Sequence, residues 1–322
     1  MSTITLISPY FGERFPNTFP ILFDSLKWNK DIEFIIPTNI DFSQYKGVSN
    51  VSFIKTSLSK LNEQINSMLG YHAHLSNAYK LVDFKPSYGI LFGEYLDNSD
   101  WWGYFDMDLL FGNISAFLTD ELLDSYDRIF THGHLTLYRN DKTINNLWRY
   151  NFNLREVPDF HTVAKHKAIF AFDEWVWGKN RGRGLSYALH KKNIVRQFDN
   201  TSFFADINPN LFGFKINNGI SLEKLKYFRG NLIGIDENNT ERPYMYAHFQ
   251  KRAMSNQISD YKKSVYITPN IFSNTIPTLD IQKKEKTRWI QQHKIQRKKQ
   301  VLANLTSSSY IWRRLHFLFS EN

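Results

Sequence analysis

The sequence predicts an α/β fold built on a mixed, mainly parallel sheet flanked by helices. Over the first 112 of its 322 residues, short apolar runs typical of strands alternate with segments whose apolar residues recur at helical spacing. An aromatic run, Trp101–Asp108, reads as a buried strand that ends in two carboxylates. Strands joined by helices usually pair in parallel, in sheets that often bind nucleotides.

Each predicted element follows from a local pattern. Strands are expected where apolar and β-branched residues cluster, at Ile4–Ile7, Ile32–Ile36 (ended by Pro37), Val51–Ile54 and Trp101–Asp108. Helices are expected where apolar residues return every three or four positions, at Phe19–Trp28, Leu58–Leu69 and Asn77–Phe84. Beyond Gly112 the pattern is mixed, with a strand predicted at His134–Tyr138 and helices at Thr143–Tyr150 and Glu174–Trp177.

The composition indicates a folded chain of one large domain or two closely packed ones. Hydrophobic residues make up 42% and aromatic residues 16%, which excludes a disordered protein. Cysteine is absent, which excludes disulfides and thiolate sites and fits a reducing compartment. We find neither a signal peptide nor a run of about 18 apolar residues that could span a membrane. A cytoplasmic location is therefore expected.

The net charge of +9 is concentrated in the C-terminal tail. Residues 283–322 contain ten Lys and Arg against two acidic residues, so this tail carries +8 and residues 1–282 carry +1. Basic residues beside Trp, Phe and Leu are typical of an amphipathic helix on an anionic membrane surface. Packing of the apolar positions on the body or on another subunit remains open. No RNA-binding motif is recognised, so no specific nucleic acid partner is expected.

The most informative motif is Asp106-Met107-Asp108. Residues i and i+2 of a strand project to the same side, about 6–7 Å apart, so both carboxylates are expected to converge on one divalent cation. Ligands of open α/β sheets bind at this carboxyl end of the strands. A turn whose carboxylates cap a following helix remains open. Leu110 disfavours a haloacid-dehalogenase-type phosphatase, and the loop Ser8–Gly12 lacks the glycine cluster of a sugar nucleotidylyltransferase.

Four motifs in a consistent order resemble GT-A-fold glycosyltransferases. They are Tyr79–Gly89, Gly103–Asp108, Phe172–Glu174 and Ala247–Arg252. More closely, the chain resembles a bacterial family associated with capsule and other surface-polysaccharide synthesis, over about residues 3–255. The resemblance implies a metal-dependent enzyme that transfers a sugar from a nucleoside diphosphate sugar, UDP in the leading hypothesis, to a growing surface glycan or a lipid-linked acceptor. Such an acceptor would place the protein peripherally on the inner face of the cytoplasmic membrane.

Three regions are expected along the chain, the first two from the resemblance and the third from the charge and apolar residues of the tail. Residues 1–112 would form the nucleotide-sugar-binding half and residues 113–275 the acceptor and catalytic half of one GT-A domain. Residues 276–322 would form a basic amphipathic tail of helical structure. A non-catalytic protein with the same fold, tethered to membrane or nucleic acid by the tail, remains the alternative from another class.

The resemblance assigns roles to single positions. Asp106, Asp108 and His248 would hold Mn²⁺ or Mg²⁺, and one imidazole among oxygen ligands suits Mn²⁺. Such an ion stabilises the diphosphate leaving group as a Lewis acid. His134 would contact the acceptor. The donor would be bound by Ser8, Pro9, Tyr10, Asp83, Lys85, Phe105, Asp106, Lys251 and Arg252, of which the last two would neutralise the departing diphosphate.

Asp173 and Glu174 are the candidates for catalysis at the sugar. They are adjacent acids within an aromatic segment, where burial can raise the pKa of a carboxyl group. In an inverting reaction one of them would be the general base that deprotonates the acceptor hydroxyl. In a retaining reaction they would position acceptor and sugar. The first turn of a helix continuing to Trp177 is the structural alternative.

Overall fold

The computed structural model describes residues 2–176 and 183–306. The predicted end of a helix at Trp177 and the apolar end of the tail beyond residue 306 lie outside the described residues. Within the described ranges, no helix is both long enough and apolar enough to cross a lipid bilayer.

The described chain forms strands and α-helices joined by short 3₁₀ segments. The strands are β1 Ile4–Ile7, β2 Ile32–Thr38, β3 Val51–Lys55, β4 Trp101–Phe105, β5 Leu109–Phe111, β6 Arg128–His132, β7 Leu135–Arg139, β8 Gln197–Phe198, β9 Phe204–Asp206, β10 Phe214–Lys215, β11 Ser221–Phe228, β12 Asn231–Asp236, β13 Glu241–Pro243, β14 Tyr246–His248, β15 Ser255–Gln257, β16 Val265–Thr268 and β17 Ile271–Ser273. The helices are α1 Phe19–Trp28, α2 Leu58–Leu69, α3 Tyr88–Leu91, α4 Asp120–Ser125, α5 Phe160–Lys165, α6 Leu185–Lys192 and α7 Leu279–Thr306.

The central sheet has the strand order β3-β2-β1-β4-β7-β6-β8. Its first four strands are parallel, and β7 alone runs against the rest. One core packs α1 against the sheet, and a second core on the other face gathers α2, α3, α5 and α6. The predicted α/β fold with a mixed, mainly parallel sheet flanked by helices is confirmed.

Several predicted boundaries differ from the structure. Strand β2 does not end at Pro37 but continues to Thr38, because the sheet uses the Pro37 carbonyl, which accepts the Tyr10 N–H, and needs no N–H from the proline. The helices predicted at Asn77–Phe84 and Thr143–Tyr150 are 3₁₀ segments, Ala78–Ser87 and Ile144–Arg149.

The predicted strand Trp101–Asp108 also ends early. Strand β4 stops at Phe105, and residues 106–108 form a turn before β5. The alternation argument for Asp106 and Asp108 is therefore wrong, since neither lies on a strand. Glu174 likewise lies in a turn rather than a helix, and Ala171, at the start of this turn, has a left-handed φ of 47°.

Two further sheets contain the strands beyond residue 200, and the smaller of them also contains β5. The larger has the order β13-β12-β11-β16-β17-β15, with β10 paired to β11. The smaller has the order β5-β14-β9 and joins three distant parts of the chain. In this small sheet His248 lies opposite Leu109 on one side and opposite Asp206 on the other. The residue after Asp108 is thereby paired directly with His248.

The first half of helix α7 docks on the body. Its partly buried residues are Gln282, Glu285, Trp289 and His293, whose spacing places them on one helical face. The Trp289 ring packs edge-on against Phe212, with the ring centroids 6.0 Å apart. From residue 294 to residue 299 every side chain is exposed.

Candidate active site

A cavity of about 1630 Å³ opens at the carboxyl ends of β1, β2 and β4. It exceeds the roughly 300–1,000 Å³ of an ordinary small-molecule pocket, so it has room for a large ligand or for two. Most of the residues predicted to bind the donor line this cavity. They are Ser8, Pro9, Tyr10, Lys85, Phe105, Asp106, Lys251 and Arg252.

The predicted metal ligands Asp106, Asp108 and His248 lie together beside this cavity. Each offers a ligand atom, and these atoms all lie within 4.8 Å of one another. The turn after β4 supplies the two carboxylates, and the pairing of β5 with β14 supplies the imidazole. Oδ1 of Asp108 lies 3.5 Å from Nε2 of His248.

The turn after β14 is strained where it meets Asp108. The Lys251 N–H donates a hydrogen bond of 2.6 Å to Oδ2 of Asp108. Both Gln250 and Lys251 have a left-handed backbone, with φ of 48° and 60°. Such conformations cost about 1–3 kcal/mol each and persist where the surroundings hold them, often at functional sites.

The charges around His248 favour a cation at this position. Its Nδ1 lies 2.8 Å from Oδ1 of Asp206, so the ring is placed between two carboxylates. Burial lowers the pKa of His248, but pairing with Asp108 and Asp206 outweighs burial and raises this pKa to about 9. Burial raises the pKa of Asp108, but the hydrogen bond and charge of His248 together with the Lys251 N–H outweigh burial and lower this pKa.

Lys85 links Asp106 to the backbone of Gly133 beside the cavity. Its buried ammonium donates to Oδ1 of Asp106 at 2.7 Å and to the Gly133 carbonyl at 2.6 Å. Burial lowers the pKa of Lys85, but Asp106 and Asp173 outweigh burial and raise it. Lys85 is therefore a charged group that fixes one oxygen of Asp106 and leaves the other free.

The adjacent acids Asp173 and Glu174 lie in different surroundings. Glu174 lines the cavity, and its carboxylate lies so close to Gly133 that a Cβ there would overlap it. Burial, and then the neighbouring Asp173, raises the pKa of Glu174 to about 7. Asp173 is only 1% exposed and does not line the cavity. Burial raises its pKa to about 6.

Asp83, predicted to bind the donor, lies outside the cavity lining. It is fully buried and pairs with Nζ of Lys80 at 2.7 Å. Its carboxylate also accepts the backbone N–H groups of Phe170 and Phe172. Through these hydrogen bonds Asp83 fixes the backbone of the segment that leads to Asp173. In this structure Asp83 therefore has a structural role.

His134, predicted to bind the acceptor, is also buried and absent from the cavity lining. Its Nε2 lies 2.9 Å from the Tyr246 hydroxyl. Its ring stacks on His248, with the centroids 4.3 Å apart. In this position His134 packs behind His248, a metal-ligand candidate, and is separated from the cavity.

The two predicted phosphate-binding cations differ in their surroundings. Nζ of Lys251 lies 3.0 Å from the Tyr79 hydroxyl across the mouth of the cavity. Arg252 is only 8% exposed and donates from Nη2 to the carbonyls of Leu211 and Phe212. Its Nε and Nη1 have no hydrogen-bond partner in the described part of the chain. Burial lowers the pKa of Arg252 to about 10.

Sequence reasoning missed several residues at this site. Arg14 and Tyr79 line the cavity, and so does Arg288, which belongs to the tail that the resemblance leaves out. Asp206 contacts His248 but lies in no recognised motif. Its only sequence signal is its position at the end of a short apolar run, Phe204–Asp206.

The chain belongs to the family of unknown function DUF6625, whose family model matches residues 6–276. Solved structures similar to it include the galactosyltransferase LgtC in complex with donor and acceptor sugar analogues, at 12% identity and a TM-score of 0.40, covering 77% of this chain and 88% of that one. An active-site mutant of LgtC matches over the same shares with 12% identity and a TM-score of 0.38. A glycosyltransferase that glycosylates the major capsid of PBCV-1 matches at 10% identity and a TM-score of 0.31, over 63% of this chain and 84% of that one. No curated protein matches the chain.

Proposed function

We propose that this protein is a metal-dependent glycosyltransferase that uses a nucleoside diphosphate sugar, with UDP as the first candidate nucleotide. The observation that carries the proposal is the cluster of Asp106, Asp108 and His248 beside a cavity whose lining also includes the cations Lys251 and Arg252. One cavity thus offers ligands for a cation and a partner for an anion. A diphosphate that carries its own divalent ion meets both requirements.

The ligand set fits a hard divalent ion. Two carboxylates and one imidazole suit Mn²⁺, and Mg²⁺ accepts the same carboxylates. When bound, the ion would stabilise the negative charge that develops on the diphosphate. Asp108 and His248 would hold it directly. Asp106 would add its second oxygen, since its first is bound to Lys85.

Cationic side chains would hold the diphosphate itself. Arg252 lines the cavity with its Nε and Nη1 enclosed, so its charge would attract the diphosphate across a short distance. Lys251 would exchange its contact with Tyr79 for a phosphate oxygen. Arg288 brings a third cation from α7 to the same cavity.

Glu174 is the better candidate of the two adjacent acids for work at the sugar. It reaches the cavity, whereas Asp173 is enclosed. A carboxyl group with a pKa of about 7 can accept a proton near neutral pH. In an inverting reaction Glu174 would take the proton of the acceptor hydroxyl, and in a retaining one it would position sugar and acceptor.

The acceptor in this proposal is a surface polysaccharide or a lipid-linked glycan of the capsule type. The exposed half of α7 supports an acceptor at a membrane. Four cations, Lys294, Arg297, Lys298 and Lys299, project there beside exposed Ile295 and Leu302. Such a surface is suited to anionic lipid headgroups on the inner face of the cytoplasmic membrane.

Thermal unfolding with nucleotides tests the binding half of the proposal. UDP at a hundred times its Kd would stabilise the protein by about 2.7 kcal/mol, which for a chain of this length is a rise in Tm of about 4 °C. We expect this rise with UDP and Mn²⁺ together and a much smaller one in EDTA. Asp108→Asn should abolish the Mn²⁺-dependent part, whereas Asp124→Asn, an exposed position on α4, should not. No shift with any nucleoside diphosphate under any metal would overturn the proposal.

A further inference from the structure

The two ring nitrogens of His248 face different carboxylates. Nε2 points to Asp108 at 3.5 Å, and Nδ1 lies 2.8 Å from Oδ1 of Asp206. A histidine that binds a metal through one nitrogen usually donates its other N–H to a carboxylate or a carbonyl. This second bond fixes the tautomer and the orientation of the ring.

Asp206 is itself held firmly for this contact. Strand β9 pairs in parallel with β14, which sets Asp206 opposite His248 in the register. The Gln250 side chain donates to the same Oδ1 at 2.7 Å. The Asp206 N–H donates to Oδ1 of Asn217 at 3.1 Å. The carboxylate oxygen therefore receives two side-chain donors, one of which is the imidazole.

We infer that Asp206 is the positioning residue of the metal centre, an inference that rests on the proposed function. By accepting the Nδ1–H of His248, Asp206 keeps Nε2 on the side of Asp108, where this nitrogen would bind the ion in place of its own proton. Stacking of His134 on the same ring prevents it from tilting. Asp206 belongs to no part of the motif that supplies the carboxylate ligands.

The same residues admit a competing arrangement that the test has to separate. Ligand atoms of His134, Asp206 and His248 also lie within 4.8 Å of one another and could surround a second ion. That ion would need the Nδ1 lone pair of His248. The hydrogen bond to Asp206 uses this nitrogen as a donor, so the positioning role and the second ion exclude each other.

Direct measurement of Mn²⁺ binding tests the inference. Free Mn²⁺ is quantified by electron paramagnetic resonance in the presence of UDP, for the full chain and its variants. We expect Asp206→Ala to weaken Mn²⁺ binding by about 10- to 100-fold. Asp206→Asn should weaken Mn²⁺ binding less than Asp206→Ala, because the Gln250 amide keeps the remaining side-chain oxygen turned toward His248. Asp199→Asn is the matched control, since it breaks the neighbouring pair of His132 and Asp199.

A second readout separates positioning from folding. Nitrogen-15 shifts of His248, measured with Mg²⁺ and UDP, should show the Nδ1–H tautomer in the wild type and a mixture in Asp206→Ala. Wild-type Mn²⁺ affinity in Asp206→Ala would overturn the inference while leaving the proposed function intact. A wild-type protein that binds no Mn²⁺ would instead defeat the proposed function. Two Co²⁺ ions per chain, one of them lost in Asp206→Ala, would also overturn the positioning role.

Discussion

At the scale of single residues, two adjacent carboxyl groups occupy very different surroundings. Asp173 is enclosed by the core, and its backbone carbonyl accepts hydrogen bonds from Ser186 and Arg128. Glu174 is directed at the cavity, where Lys85, Asp106 and His132 are the charged or titratable groups around it besides Asp173. The carboxylates raise its pKa and the cations lower it, and burial is the largest effect.

The pH dependence of turnover should report the protonation of Glu174. If Glu174 accepts a proton, only its deprotonated form is active, so kcat/KM should rise with pH up to its pKa of about 7 and then level off. Glu174→Gln should remove this limb and lower kcat by about 10²-fold or more, because general base catalysis contributes roughly 10²–10⁴-fold.

A matched variant provides the control for this profile. Glu156→Gln changes an exposed acid that pairs with Tyr187 away from the cavity, and the profile should be unchanged. A Glu174→Gln enzyme with the wild-type rate and the wild-type pH limb would contradict the assignment.

Residue types alone could not assign these roles. Asp83 and His134 have residue types suited to ligand binding, but the core encloses both of them. Asp206 shows the opposite case. Its contact with His248 spans 42 positions and depends on the register of β9 and β14, which no local pattern of residues reveals.

At the scale of elements, those set by local residue patterns could be predicted, and those set by contacts between distant parts of the chain could not. Helices α1 and α2 have the predicted bounds, since their apolar spacing is a local property. Residues 106–108 were expected on a strand because the aromatic run continues into them, yet β4 ends at Phe105. Their turn is set by tertiary contacts, including the Lys251 N–H on Asp108, which lies 143 positions away.

The two halves of helix α7 have different surroundings, so they can be tested separately. Its first half contacts the body through Trp289, whereas the exposed half carries Lys294, Arg297, Lys298 and Lys299 without an acid among them. Replacing these four residues by Gln should weaken binding to anionic vesicles by nearly a thousandfold, at about 1 kcal/mol per cation. The Tm of the variant should match that of the wild type, because the docked half is unchanged.

Co-sedimentation with vesicles of phosphatidylserine and phosphatidylcholine measures this effect, and pure phosphatidylcholine is the control. Equal binding of the wild type and the four-fold variant to anionic vesicles would contradict a membrane role for the exposed half. A lower Tm would show that these residues also contribute to folding.

At the scale of the whole molecule, the site is where three sheets meet. The central sheet supplies the cavity floor, the small sheet β5-β14-β9 brings His248 to Asp108, and the turn after β14 supplies Lys251 and Arg252. The parallel strands β1 to β4 of the central sheet could be predicted from local residue patterns. Beyond residue 200 the neighbouring strands β11 and β12 pair as a hairpin, but β11 also pairs with β16, and β14 pairs with the distant β5 and β9, so the strand order could not be predicted from the sequence.

The central claim is that this arrangement transfers a sugar and does not merely bind a nucleotide. The most direct measurement is the release of UDP from a panel of UDP-sugars, with Mn²⁺ or with EDTA. The account predicts Mn²⁺-dependent release from at least one UDP-sugar by the wild type, retained in Asp124→Asn and lost in Asp108→Asn. Tight Mn²⁺-dependent binding of UDP-sugars without release, with or without glycan acceptors, would contradict it and identify a binding protein.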